Sequence, residues 1–327
     1  MFLRYISYKK QGYTQPDLKK VISMSVYGNA PQFTMGAIRN AQTIPAFFPG
    51  WSLRVYVARP DPDLPNKNWI VPDRIIAKLK SLGAQIAYVD LTHVKLEPKW
   101  WSYLVADDPS VEYFLVRSAN GRLSDRDAAA VSEWIESTNS ESVFHCIRDH
   151  PRHASAAVES GLWGGRGAPL RERLKPGMNA LLHEYVSNHS AHAGEGSAAV
   201  RPTHFLSNVI WPLVRDVAYC HDSVSCKNWP NTYSFPVERS NPSQFVGQLF
   251  NENQEVEGGP DAGELASVTT DCTGKGKWRP VAAANLPTPT PTVSSNSIGL
   301  QVNMTNLTLM WTPLAGLKLE QRVPDTS

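Results

Sequence analysis

Along roughly the first 250 residues, apolar positions fall into short blocks whose period switches repeatedly between strand and helix. Val21-Ile-Ser-Met-Ser-Val-Tyr27 has the continuous apolar character of a buried strand, ended by Gly28-Asn29. From about Phe33 to Phe48 the apolar spacing is helical, and Pro45 is expected to kink or end that helix. Leu53–Val57 reads as a second strand. Pro72 then opens a helix with Ile75, Ile76, Leu79 and Leu82 on one face, closed by Gly83, and Gln85–Val89 is a third strand. Val111–Val116, the most hydrophobic block, is a fourth strand running into a turn over Arg117–Arg122. Ser124 and Asp127 make a capping-box-like start to a helix whose apolar stripe is Val131, Trp134 and Ile135. Val143–Ile147 is a fifth strand.

Strands alternating with helices predict an α/β fold: a mostly parallel central sheet flanked by helices. In such sheets ligands lie outside the carboxyl ends of the strands. Chemistry is therefore to be sought at Gly28–Gln32, Arg117–Arg122 and Arg148–His153. From about Glu255 the chain turns to Gly, Pro, Thr, Ser and Asn, with Leu286-Pro-Thr-Pro-Thr-Pro-Thr292 at the centre. Proline at alternate positions removes amide donors and favours extended backbone. The expected organisation is one domain over 1–254 and a low-complexity, disordered tail over 255–327. A second polar stretch, Ser187–Gly196, has the composition of a loop.

Composition narrows the classes. Lys plus Arg is 32 against Asp plus Glu at 30, a net charge of +2, so no basic stripe marks a nucleic-acid partner. No apolar run is long enough to span a bilayer, and the first twenty residues lack the apolar core of a secretory signal, so the default expectation is a soluble, cytoplasmic protein. Asn188, Asn303 and Asn306 lie in glycosylation sequons, which matter only in the secretory pathway. Cys146, Cys220, Cys226 and Cys272 fit no C-x-x-C spacing, and no disulfide framework follows from them.

The densest ionisable cluster is His145, Asp149, His150 and His153, at the end of the fifth strand. Asp149 and His150 are the candidate catalytic pair, Asp149 as general base toward a hydroxyl. Its bland alternative is to cap the backbone amides that follow. The same cluster read as a metal site would make a metal-dependent hydrolase, although Pro151 breaks the helical spacing that would converge the histidines.

Three groups of segments carry a resemblance. The first is Ser25-Val-Tyr-Gly-Asn29, Gly36-Ala-Ile-Arg-Asn-Ala41 and Pro49-Gly-Trp51. The second is Arg117-x-x-x-x-Arg-Leu123, Ala130-Val-Ser-Glu-Trp134, His145-Cys-Ile-Arg-Asp-His-Pro-Arg-His153 and Gly161-Leu-Trp-Gly164. The third is Ile210-Trp-Pro212, His221-Asp-Ser223 and Phe245-Val-Gly247. In collinear order over about residues 20–250, they resemble a poorly characterised family of glycosyltransferase-like proteins with the nucleotide-diphospho-sugar transferase (GT-A-like) fold.

The resemblance implies transfer of a sugar from a nucleotide-sugar donor to a glycan or other acceptor hydroxyl. It implies a donor site at Tyr27, Gly28, Asn29 and Arg39, with Arg117 and Arg122 on the diphosphate and Trp163 as a platform for the acceptor. It also implies a divalent cation, Mn²⁺ or Mg²⁺, which needs carboxylate oxygens. The family's turn reads Arg-Asp-x-Asp-Ser-Arg, whereas this chain has Arg117-Ser-Ala-Asn-Gly-Arg122, leaving Ser118, Asn120 and the later His221 as a degenerate metal site. An Asp-Gln pair of the family is replaced by Thr203-His204, and an expected Arg by Ser102. The losses fall on polar positions and spare the apolar framework. The second reading is therefore an inactive pseudo-glycosyltransferase that binds a nucleotide, glycan or protein.

Overall fold

The computed structural model describes residues 18–60, 67–91, 94–137, 142–190, 200–225, 228–229, 232–241 and 243–257. The proline-threonine run, Cys226, Cys272, Asn303, Asn306 and most of the Ser187–Gly196 stretch lie outside them. The strands are β1 (Lys19–Ser25), β2 (Trp51–Ala58), β3 (Gln85–Val89), β4 (Val111–Arg117), β5 (Phe144–Arg148), β6 (Leu162–Arg166), β7 (Ala218–Asp222) and β8 (Thr232–Tyr233). They form one sheet in the order β3-β2-β1-β4-β6-β5-β7-β8. Every pairing is parallel except those of β6, which runs antiparallel to both β4 and β5. The α/β class with a mostly parallel sheet is thus what the chain builds.

The helices are α1 (Pro31–Phe47), α2 (Asp73–Ser81), α3 (Asp125–Glu136), α4 (Gly167–Arg173), α5 (Met178–Ser190), α6 (Pro202–Phe205) and α7 (Trp211–Val214), with a π-helical turn, Leu206–Ile210, joining the last two. The start of α3 is as its sequence implies: the Ser124 hydroxyl accepts from the Asp127 amide at 3.2 Å. Pro45 does not end α1, which runs on to Phe47. It stands in the last turn, where only one hydrogen bond is lost. Two apolar clusters fill the two faces of the sheet, one containing Ile22, Met24, Leu79, Leu115 and Trp134, the other Trp100, Trp101, Tyr103, Phe114, Phe144 and Phe205.

Two expectations change here. The Gly161–Gly165 stretch, where Trp163 was expected to offer a platform to the acceptor, is mostly β6, in the middle of the sheet. Its glycines are there for closeness rather than mobility: a Cβ on Gly164 would stand 2.3 Å from the Phe114 carbonyl, and one on Gly165 would stand 2.4 Å from Leu170 Cδ2. Cys146 and Cys220, facing each other on β5 and β7, form a buried disulfide closing 74 residues. Spacing alone cannot reveal such a pair, since only the register of two parallel strands brings it together.

Candidate functional site

The sheet order reverses direction between β1 and β4, and ligands in open α/β sheets bind outside the carboxyl ends of the strands at such a point. A cavity of 520 Å³ lies there, a size that suits a small-molecule ligand. Met24 of β1 and Asn40 of α1 line one side; Arg117, Ser118, Arg122 and Asp127, at and after the end of β4, line the floor. The far side is His150, Arg152 and His153 after β5, together with Glu159–Leu162 leading into β6. Phe245, Gly247, Leu249 and Glu257, from later in the chain, complete it.

The turn after β4 is shaped from outside by a residue the sequence reading did not select. Asn40 is wholly buried; its amide donates to the carbonyls of Gly121 at 3.0 Å and Ala119 at 3.4 Å, and its Oδ1 accepts from the Leu123 amide at 3.1 Å. Gly36, one turn earlier on α1, lets the turn come close, because a Cβ there would lie 2.2 Å from the Ala119 carbonyl. A polar residue on the apolar face of α1, between Ala37 and Ile44, was the available signal for Asn40.

Several predicted site residues are committed to the protein itself. Arg117 grips Asp127 with two bonds of 2.9 and 2.8 Å and donates as well to the carbonyls of Val116 and Trp163. Both partners are buried, so Arg117 acts first as a strut between β4 and α3. Asp149 is held likewise. Its carboxylate accepts from Arg126 twice at 2.9 Å, from Arg239 and Ser223 at 2.8 Å, and from the Val246 amide at 3.0 Å. It is wholly buried and does not line the cavity. Five donors leave no lone pair well placed for a substrate proton.

Trp163 is buried in β6 among Tyr103, Phe114 and Phe144, so its ring belongs to the core and offers no face to an acceptor. Tyr27, Gly28 and Asn29 follow β1 outside this cavity. Tyr27 stacks on Phe33, and burial, then Glu97, raises its phenol pKa. Gly28 adopts φ +66°, which favours glycine, with its amide bonded to the Trp69 carbonyl.

Four predicted residues do meet at the cavity: Arg122, Ser118 and His150, with Arg117 on the floor. Arg122 donates to the Gly121 carbonyl and to Gln254 and lies over the Phe250 ring. Burial and the neighbouring Arg39 push its pKa down to about 10. Arg122 thus brings a guanidinium group to the cavity wall, whereas Arg39, the predicted donor residue on α1, does not line it. The His150 ring lies tilted against Phe245, centroids 4.2 Å apart, and 5.9 Å from that of His153. His153 accepts from the Asp149 amide, and burial, then His150, depress its pKa to about 4, so it is neutral at pH 7.

The metal set does not assemble. Ser118 lines the cavity, but Asn120 and His221 do not. His221 is buried on the α3 side of the sheet, bonded to His145 at 2.9 Å and to Glu133 at 3.0 Å. Burial lowers the pKa of His145 and of His221, which keeps the pair neutral. Among the described residues no three His, Cys, Asp or Glu side chains could hold a metal ion. The set Ser118, Asn120 and His221 offers no carboxylate and does not converge on a Mn²⁺ or Mg²⁺ ion, and among the described residues His145, His150 and His153 form no such group for the hydrolase reading either.

Glu159 was not anticipated. It stands in the loop before β6, where no periodicity marks it, and lines the cavity with Thr203 Oγ1 at 3.5 Å. Burial raises its pKa above the ordinary carboxylate value.

No protein-family model matches the chain, and no curated protein sequence matches it. Among solved structures it is similar to a glycosyltransferase involved in the glycosylation of the major capsid of PBCV-1, at 12% identity over 62% of this chain and 81% of that one, with a TM-score of 0.37. It is also similar to the galactosyltransferase LgtC in complex with donor and acceptor sugar analogues, at 10% identity over 57% and 69% of the two chains, TM-score 0.37. A third is glucosyl-3-phosphoglycerate synthase from Mycobacterium tuberculosis with uridine diphosphate, at 10% identity over 64% and 86%, TM-score 0.31. All three scores lie below 0.5, so these likenesses carry no argument about what this chain binds or does.

Proposed function

We propose that the chain is a glycosyltransferase-like protein that takes a nucleotide sugar into the cavity beyond β1 and β4 and passes the sugar to an acceptor hydroxyl. The observation that carries this reading is the cavity's place: it opens at the reversal of strand order, next to the turn where the resembled family holds its donor. The family's two aspartates are Ser118 and Asn120 here. The leaving diphosphate would then meet Arg122 and Arg152, with Arg39 behind Arg122, in place of a metal ion. His150 and the neutral His153 would form the wall beside it.

A second reading, a binding module without turnover, is favoured by one specific observation. Arg117 and Asp149, expected from the sequence on the diphosphate and at the acceptor hydroxyl respectively, are engaged in buried ion pairs.

Isothermal titration with UDP, GDP, CMP and their sugars, each in EDTA and again with Mn²⁺, tests the proposal. The expected result is one nucleotide that binds equally in both buffers and loses affinity about tenfold or more in Arg122→Ala, a charge-assisted contact being worth about 1.5–3 kcal/mol. Binding of no nucleotide in either buffer would remove the donor site. Release of product sugar from the bound donor then separates transfer from mere binding.

A further inference from the structure

We propose that Glu159 is the catalytic base of this cavity, the group that takes the acceptor's hydroxyl proton. The inference rests on the transferase reading above and assigns the base to a residue that no sequence pattern marks. Three carboxylates line the cavity. Asp127 is held by both arms of the Arg117 guanidinium, and Glu257 stands exposed at the rim. Glu159 is half-buried, with Thr203 Oγ1 at 3.5 Å as the donor that orients it. Thr203 stands where the resembled family carries an aspartate, so a carboxylate absent from one element is present on the neighbouring one.

The surroundings suit a base. Desolvation lifts its pKa above the ordinary carboxylate value, while the hydrogen bonds from Thr203 and the Ser160 amide, and then Arg148 of β5, oppose the rise. Tyr103, close by, gives its hydroxyl to the Ser160 carbonyl and remains protonated, because burial raises its pKa. The neutral His153 and the His150 ring share the cavity wall. In the step itself, the acceptor oxygen bonds to the anomeric carbon, and the bond from that carbon to the diphosphate oxygen breaks. The electron pair leaves with the nucleoside diphosphate, and the hydroxyl proton passes to the Glu159 carboxylate and then to solvent.

The test uses the full chain and the nucleotide sugar selected by titration. Transfer and donor hydrolysis are measured against pH in the wild type, Glu159→Gln and Glu159→Asp, with donor Kd and thermal midpoint alongside. Glu159→Gln preserves shape and the bond from Thr203. It should lose about 100-fold or more in kcat with Kd and midpoint unchanged, and with them the acid limb of the pH profile, while Glu159→Asp retains part of the rate. Turnover by Glu159→Gln at the wild-type rate overturns the assignment and leaves the transferase reading standing. A wild type that binds donor and never turns it over also overturns it, and leaves the binding module. Absence of any nucleotide binding removes both readings.

Discussion

At the scale of single residues, the charged side chains divide by what they already hold. Asp149 illustrates the division: it ends the fifth strand, as its sequence position implied, yet it receives Arg126, Arg239, Ser223 and the Val246 amide. Removing one partner of a buried ion pair leaves the other charge stranded at a cost of about 3–5 kcal/mol. Asp149→Asn should therefore lower the unfolding free energy by about 3–5 kcal/mol, read as a lower urea midpoint with the slope unchanged. A base held free for catalysis would leave the midpoint unmoved. His153 supplies a pH signature. Its folded-state pKa, about 4, lies below the ordinary value of 6.5, so the unfolded chain takes up the proton first as the pH falls. Its contribution to stability is whole above pH 6.5 and is lost between there and about 4. Across that window the thermal midpoint of the wild type should fall more steeply than that of His153→Gln, and parallel curves would contradict the burial.

At the scale of elements, the period of apolar positions gave five strands and three helices close to their final bounds. Period says which face is buried and nothing about which strand lies beside which. β6 escaped because two of its five residues are glycine and carry no apolar signal, although at each a methyl group would have no room. Gly164→Ala would press a Cβ against the Phe114 carbonyl, and backbone cannot swing aside as a side chain can. The expected loss is about 1–3 kcal/mol, read as a lower midpoint in chemical denaturation, whereas a loop glycine would tolerate the change within about 0.5 kcal/mol. The 3₁₀ helix over Pro98–Asp107, which buries Trp100, Trp101 and Tyr103, likewise gives no periodic signal, since its contacts are tertiary. The Cys146–Cys220 pair also belongs to this scale. It depends on the β5–β7 register, which sets Cys146 opposite Cys220.

At the scale of the whole molecule, the ligand screen is the decisive prediction. A nucleotide present at one hundred times its Kd stabilises the folded chain by about 2.7 kcal/mol, a rise of a few degrees in thermal midpoint. A rise indifferent to EDTA is the expected outcome, because Arg122 and Arg152 line the cavity while Asp127, the carboxylate nearest the turn after β4, is held by Arg117. No helix among the described residues is long and apolar enough to cross a membrane. By itself the sequence determined the α/β class, the strand ends where ligands gather and the neutral Ser118–Gly121 turn between two arginines after the fourth strand, because each is a property of local pattern or residue type. Tertiary structure alone decided which charges remain available. Arg117 and Asp149 find partners ten and twenty-three positions distant in sequence, Asn40 shapes a turn some eighty residues away, and Glu159 meets Thr203 across forty-four. Burial and pairing depend on such distant neighbours, and these set whether a carboxylate is a strut or a base.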